Sequence, residues 1–137
     1  MKQFSPNAIL ALKEALTNIY WKKQDLRSFV YHSIENKLLI STIDWDNNKK
    51  AESAGILIDR MVARPDLYEK DLFRLFDVVM HFNDFTHLKQ WDDPELKIQK
   101  AKDSVEALRK HAAGYFRLKE EKDQAEERKA VFSNMQK

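Results

Sequence analysis

Between Ile98 and Tyr115 the apolar residues Ile98, Ala101, Val105, Leu108, Ala112 and Tyr115 recur at steps of three, four, three, four and three. At 3.6 residues per turn these positions fall on one stripe, the mark of a helix whose face is covered by another helix. The chain must therefore supply partner helices. Two glycines and three prolines in 137 residues leave few sharp turns, and the apolar spacing upstream is helical almost throughout. The expected fold is all-α: a compact bundle of about five to six helices, with a long C-terminal helix extending as a charged, coiled-coil-like connector.

Upstream, Ser5 as N-cap and Pro6 at the first helical position open a helix with the stripe Ile9, Leu12, Leu16, Ile19 and Tyr20. Asp25 is expected to cap a second helix through Leu26, Phe29 and Val30, and a short third piece carries a buried triplet Leu38, Leu39 and Ile40. The Asp and Asn residues of 41–50 predict a loop, from which Trp45 plugs the core. A fourth helix from about Lys49 to Ala63 uses Ala51, Ala54, Ile58, Met61 and Val62, with Gly55 permitting a close crossing. Arg64 and Pro65 end it. Asp66 with Glu69 suggests a capping box for a fifth helix, expected to be central, whose stripe runs from Leu72 to Phe82. Phe85, Leu88 and Trp91 pack from the following segment, and Asp93 with Pro94 opens the last helix.

Beyond Leu118 the seam positions become Lys119, Lys122, Glu126 and Lys129, so the tail is expected to project and to pair with a protein partner or a second copy. Charges of both signs over 119–129 support a solvated helix, each i,i+4 pair contributing about 0.2–0.5 kcal/mol. Val131, Phe132 and Met135 then restart an apolar pattern, from which the natural chain is expected to continue past Lys137. The organisation expected is a bundle over 1–116 and a connector over 117–137. Lys119, Lys122, Glu126, Lys129 and Phe132 are the interaction candidates.

Composition excludes several functions. A chain with 43% hydrophobic residues is not disordered throughout. Without cysteine there are no disulfides, thiol nucleophiles or thiolate metal sites, and so few glycines argue against a phosphate-cradling loop. No segment approaches the roughly 18 uncharged apolar residues of a membrane span, and the N-terminus lacks a secretory apolar core. A cytoplasmic protein with no membrane association and no cofactor is expected. Twenty-four basic against 22 acidic residues give +2, too little for a strong phosphate footprint. Lys22, Lys23 and Arg27, or Lys97, Lys100 and Lys102, are interleaved with acids but could still form a modest local patch.

His81 and His87 lie six apart, whereas ligands on one helix face need a spacing of three or four, so no zinc site is expected. Pro65, Asp66, Glu95 and Lys97 share the letters of the PD-(D/E)xK nuclease motif, but that motif requires adjacent strands to hold Mg²⁺. Arg27 and His32, with four residues between them, resemble the Arg-to-His spacing of the all-helical HEPN ribonucleases, which have Asn, His or Asp where this chain has Ser28. That resemblance implies a pair handling the scissile phosphate. The other reading is a surface arginine and a histidine near a helix C-terminus, where its cationic form is favoured.

The segment from Arg117 through Lys129 into Val131, Phe132 and Met135 resembles the connector before the catalytic domain of bacterial restriction-endonuclease-like defence proteins. The resemblance implies a non-catalytic N-terminal assembly region of a larger DNA-cleaving protein, with nucleic acid reached through the full-length molecule and no catalytic residue in this chain. Leu12, Leu16, Tyr20, Leu26, Phe29 and Leu39, with Ile58, Leu72 and Leu75, are similar in rhythm to effector-associated, death-like adaptor domains.

Overall fold

Ser5 accepts the Ala8 N–H at 3.2 Å and Pro6 takes the first helical position, so the first helix, α1, runs Pro6–Ile19. The computed structural model describes residues 4–135, with side chains described as far as Tyr115. After α1 come α2 (Lys23–Ser33), α3 (Lys37–Ser41), α4 (Lys50–Ala63), α5 (Pro65–Met80) and α6 (Pro94–Met135). A 3-10 turn, Thr86–Gln90, precedes α6, and no strand occurs among the described residues. The molecule is a helical bundle.

The seam on α6 is buried as its spacing requires: Ala101, Val105, Leu108 and Ala112 are in the core, with Ile98 and Tyr115 packed half-buried at its ends. Its main partner is α1, which also touches α2, α4 and α5 and lies at the centre of the bundle. The fifth helix, expected in that place, packs chiefly on α4. Two hydrogen bonds fix α1 and α6 antiparallel: the Ser5 N–H donates to the Tyr115 hydroxyl at 2.9 Å, and the Asn18 amide donates to Ser104 Oγ at 2.6 Å. Three of the six buried positions of α1 are alanines, Ala8, Ala11 and Ala15, and such short side chains let helix backbones approach closely. At the seam's far end Phe4 stacks on Phe76 with centroids 3.9 Å apart and lies 4.8 Å from the Tyr115 ring.

Trp45 is buried and donates its indole N–H to the Ile40 carbonyl at 3.0 Å, so the loop plugs the core as expected. Phe85 and Leu88 are buried beneath the 3-10 turn. Asp93 enters α6 with φ of 49°, a left-handed conformation that Asp tolerates better than most residues.

Several local expectations are corrected. The Lys22 carbonyl already accepts the Leu26 N–H, so α2 starts before Asp25, which lies in its first turn rather than at its cap. Leu38 is 78% exposed while Leu39 and Ile40 are buried, because three consecutive helical residues span too wide an arc to share one face. Ala51 and Val62 are exposed, and Leu57 with Ser53 takes their place in the core. A Cβ on Gly55 would meet nothing within 4 Å, so no close crossing requires that glycine. Pro65 sets Arg64 as the N-cap of α5, which leaves Asp66 inside the helix and without a capping box. The expectations placed on Lys119, Lys122, Glu126, Lys129 and Phe132, and on the boundary at 116, lie outside the residues whose side chains are described.

Candidate functional site

Arg27 and His32 are both exposed on α2, and five residues of helix set them about 140° apart. The structure does not bring the pair together. His32 instead lines an open groove with Tyr20, Ser28, Arg74 and His87, while its ring stands edge-on to Tyr31. Burial, reinforced by Asp25, raises the Tyr20 hydroxyl above its ordinary value. His87 donates Nε2–H to the Ile19 carbonyl at 2.5 Å, which ties it to the end of α1. Among the described residues no cluster of His, Asp and Glu is placed to hold a metal. Asp66 lies in the first turn of α5 and Glu95 in that of α6, both helical positions rather than the strands the nuclease motif requires.

The corner where α3 meets the α4–α5 turn has an unusual surface. Leu38 is 78% exposed and Leu67 is 53% exposed, whereas Asp71, one turn further along α5, is only 4% exposed. Such an inversion of apolar and charged positions needs compensation, and Asp71 has it: its two carboxylate oxygens accept the Glu35 N–H at 2.8 Å and the Asn36 N–H at 3.2 Å. This carboxylate anchors the α2–α3 link to α5 and thereby fixes where α3 presents Leu38. The sequence signal for Asp71 was its place one turn before Leu75, on the apolar face of α5.

Two grooves adjoin this corner. One, of about 320 Å³, is lined by Leu38, Ala63, Arg60, Arg64 and Tyr68. The other is lined by Glu35, Leu67, Asp66 and Glu69, with Lys70 as its one basic residue. One side of the corner is thus basic and the other acidic, with a leucine in each. Arg60 donates to the Thr42 carbonyl and hydroxyl, and among the described residues neither it nor Glu35 nor Glu69 forms an ion pair. Arg64 and Asp66 pair locally at 2.8 Å, and the hydrogen bonds from Arg64 hold the Asp66 carboxyl below its usual range. Both are exposed, so this pair contributes little to stability.

At the opposite, C-terminal end of α1 the structure merges two basic clusters that are alternatives in the sequence. Lys22 and Lys23 open α2, and Lys97 and Lys100 lie in the first turns of α6 beside Lys50 at the start of α4. Lys50 donates to the Tyr20 carbonyl at 2.6 Å and the Trp21 carbonyl at 3.1 Å, satisfying helix-end carbonyls that attract a cation. Burial, with Lys100 and Lys97 nearby, lowers its ammonium to about 8.

A comparison of the chain with family models, with curated proteins and with solved structures finds no match.

Proposed function

We propose that this chain is a non-catalytic assembly domain that pairs with a second copy through the corner bearing Leu38 and Leu67. The observation that carries the reading is the exposure of those two leucines between a basic and an acidic groove. Apolar groups exposed together and rimmed by polar residues mark association surfaces, whereas single exposed leucines such as Leu10 and Leu96 do not. A two-fold pairing uses the same patch on both molecules, so a surface holding both signs complements itself. Arg60 of one copy then faces Glu35 or Glu69 of the other, with the leucines excluding water between them.

The likeness of residues 117–137 to the connector of restriction-endonuclease-like proteins supports placing this domain at the N-terminal side of a larger DNA-cleaving defence protein. Pairing at the corner would bring two such connectors, and whatever follows them, to one assembly.

Sedimentation equilibrium tests the reading. The mass of the wild-type chain rises toward twice 16.2 kDa with concentration, and added salt opposes the rise because the charges are exposed. Leu38→Asp combined with Leu67→Asp stays monomeric with an unchanged helical spectrum. Arg60→Glu weakens the dimer, and adding Glu69→Lys to the same chain restores it. A monomer at every concentration up to about 1 mM, corresponding to association weaker than about −4 kcal/mol, contradicts the proposal. So does a dimer that survives the double aspartate variant.

A further inference from the structure

Trp21 stands at the α1–α2 junction with half its surface exposed, at the centre of the basic face. The Lys97 ammonium lies 4.2 Å from its ring centroid and that of Lys50 5.2 Å away, while Lys22 lies 5.2 Å from the Trp91 ring. Lys23 donates to the Asp46 and Asn48 carbonyls at 3.2 and 3.0 Å, and Lys97 donates to the Asp92 carbonyl. Among the described residues no carboxylate forms an ion pair with Lys22, Lys23, Lys50, Lys97 or Lys100. Five ammonium groups are brought together from three helices, four of them partnered by ring faces or backbone carbonyls, and only Lys23 has a carboxylate, Asp44, acting on it through space. Of the acids on the adjoining elements, Asp44 accepts from Asn47 while facing Lys23, and Asp103 accepts from Gln99.

From this juxtaposition of an exposed indole with unpaired lysines we infer that the face binds single-stranded nucleic acid, a base stacking on Trp21 while Lys22, Lys97 and Lys100 contact phosphates. Single strands offer both features that the face complements, a regular line of negative charge and unpaired π-faces. A duplex keeps its bases stacked internally and leaves the indole unused. The Lys97 ammonium that covers the ring in the free protein is exchanged for the base. Magnitudes favour that exchange, since base stacking on an aromatic side chain is generally stronger than an exposed cation–π contact. The freed ammonium then reaches a phosphate. Lys50 remains on the Tyr20 and Trp21 carbonyls and holds the indole in place as a positioning residue. The ligand also relieves the mutual repulsion of Lys50, Lys97 and Lys100.

The test is fluorescence anisotropy of labelled 20-nucleotide oligothymidine and oligouridine with the full chain, between low and moderate salt, alongside intrinsic tryptophan emission. Binding is expected to both single strands, with quenching of the emission and affinity that falls as salt rises. Trp21→Ala, at a half-exposed position, keeps the helical spectrum and weakens binding by about 5- to 150-fold, the equivalent of one lost stacking contact. Lys97→Ala and Lys100→Ala each lower the salt slope by about one. Affinity for oligouridine far above that for oligothymidine identifies RNA as the strand preferred, and the reverse identifies DNA. Absence of binding at low salt overturns the inference, as does binding that Trp21→Ala leaves unchanged. Equal binding to a duplex of the same length, or to polyglutamate, also overturns it, because neither presents an unpaired base to the indole. These outcomes are independent of the corner at Leu38 and Leu67, whose variants leave oligonucleotide binding intact.

Discussion

The α1–α6 contact and the corner at α3 use opposite arrangements of similar residues. Along α6 the apolar positions Ala101, Val105, Leu108 and Ala112 are all buried. At the corner, Leu38 and Leu67 face outward while a carboxylate, Asp71, is buried beneath them. The first arrangement lowers the free energy of the isolated chain. The second gives up that stabilisation at two leucines and recovers part of it through charged hydrogen bonds to the backbone of residues 35 and 36. A surface that costs stability yet is held in place by a buried anchor has the character of a functional surface, and this contrast carries the assembly proposal.

The contrast breaks most visibly at Leu108. Leu108→Ala removes a fully buried side chain from the seam and should lower stability by about 2–5 kcal/mol in chemical denaturation; an unchanged midpoint would take Leu108 out of the core. Next comes Asp71→Ala, expected to cost about 1.5–3 kcal/mol because two backbone N–H groups lose a charged acceptor. Its effect should also reach the corner, with local amide exchange rising at residues 35–38. Gly55→Ala should act in the opposite direction, stabilising by about 0.5–1 kcal/mol, since the helix gains rigidity and the added methyl meets open space. Leu38→Asp should change monomer stability by no more than about 0.5 kcal/mol, as expected for an exposed site.

A pH-dependent effect concerns Lys50. Its folded value of about 8 lies below the ordinary 10.5, so between these values the unfolded chain binds more protons than the folded one. Stability should therefore rise modestly as pH increases from about 8 toward 10, and melting curves of Lys50→Met should lack that rise. Tyr20, whose hydroxyl is raised, opposes the trend only above about 10, where the unfolded tyrosine ionises first.

What the sequence made legible follows from the range of the forces involved. The α6 seam, the Ser5 cap, the Trp45 plug and the break at Pro65 are encoded by residues within a turn or two of one another, and each stands where its spacing places it. The errors came where two local rules competed. Asp25 and Asp66 have capping side chains, but backbone bonding begins α2 earlier and Pro65 sets the start of α5, so both acids fall within the first turn. Leu38 follows from arc geometry: a five-residue helix cannot bury three neighbours at once. The corner was not legible, and of the basic face only its two separate lysine clusters were, not their meeting around Trp21. Lys22 and Lys97 are separated by most of the chain, and only the antiparallel docking of α6 on α1 brings their neighbourhoods together around Trp21. The corner likewise depends on Asp71 reaching back to residues 35 and 36 from another helix.

Backbone amide chemical shifts followed by NMR over a concentration series test, residue by residue, whether copies of this chain meet at the α3–α5 corner. The amides of Leu38, Arg60, Leu67 and Glu69 should shift together with one dissociation constant, while those of Ala101 to Ala112 stay fixed. Shifts confined to the C-terminal helix beyond Tyr115, or none at any concentration, would contradict it.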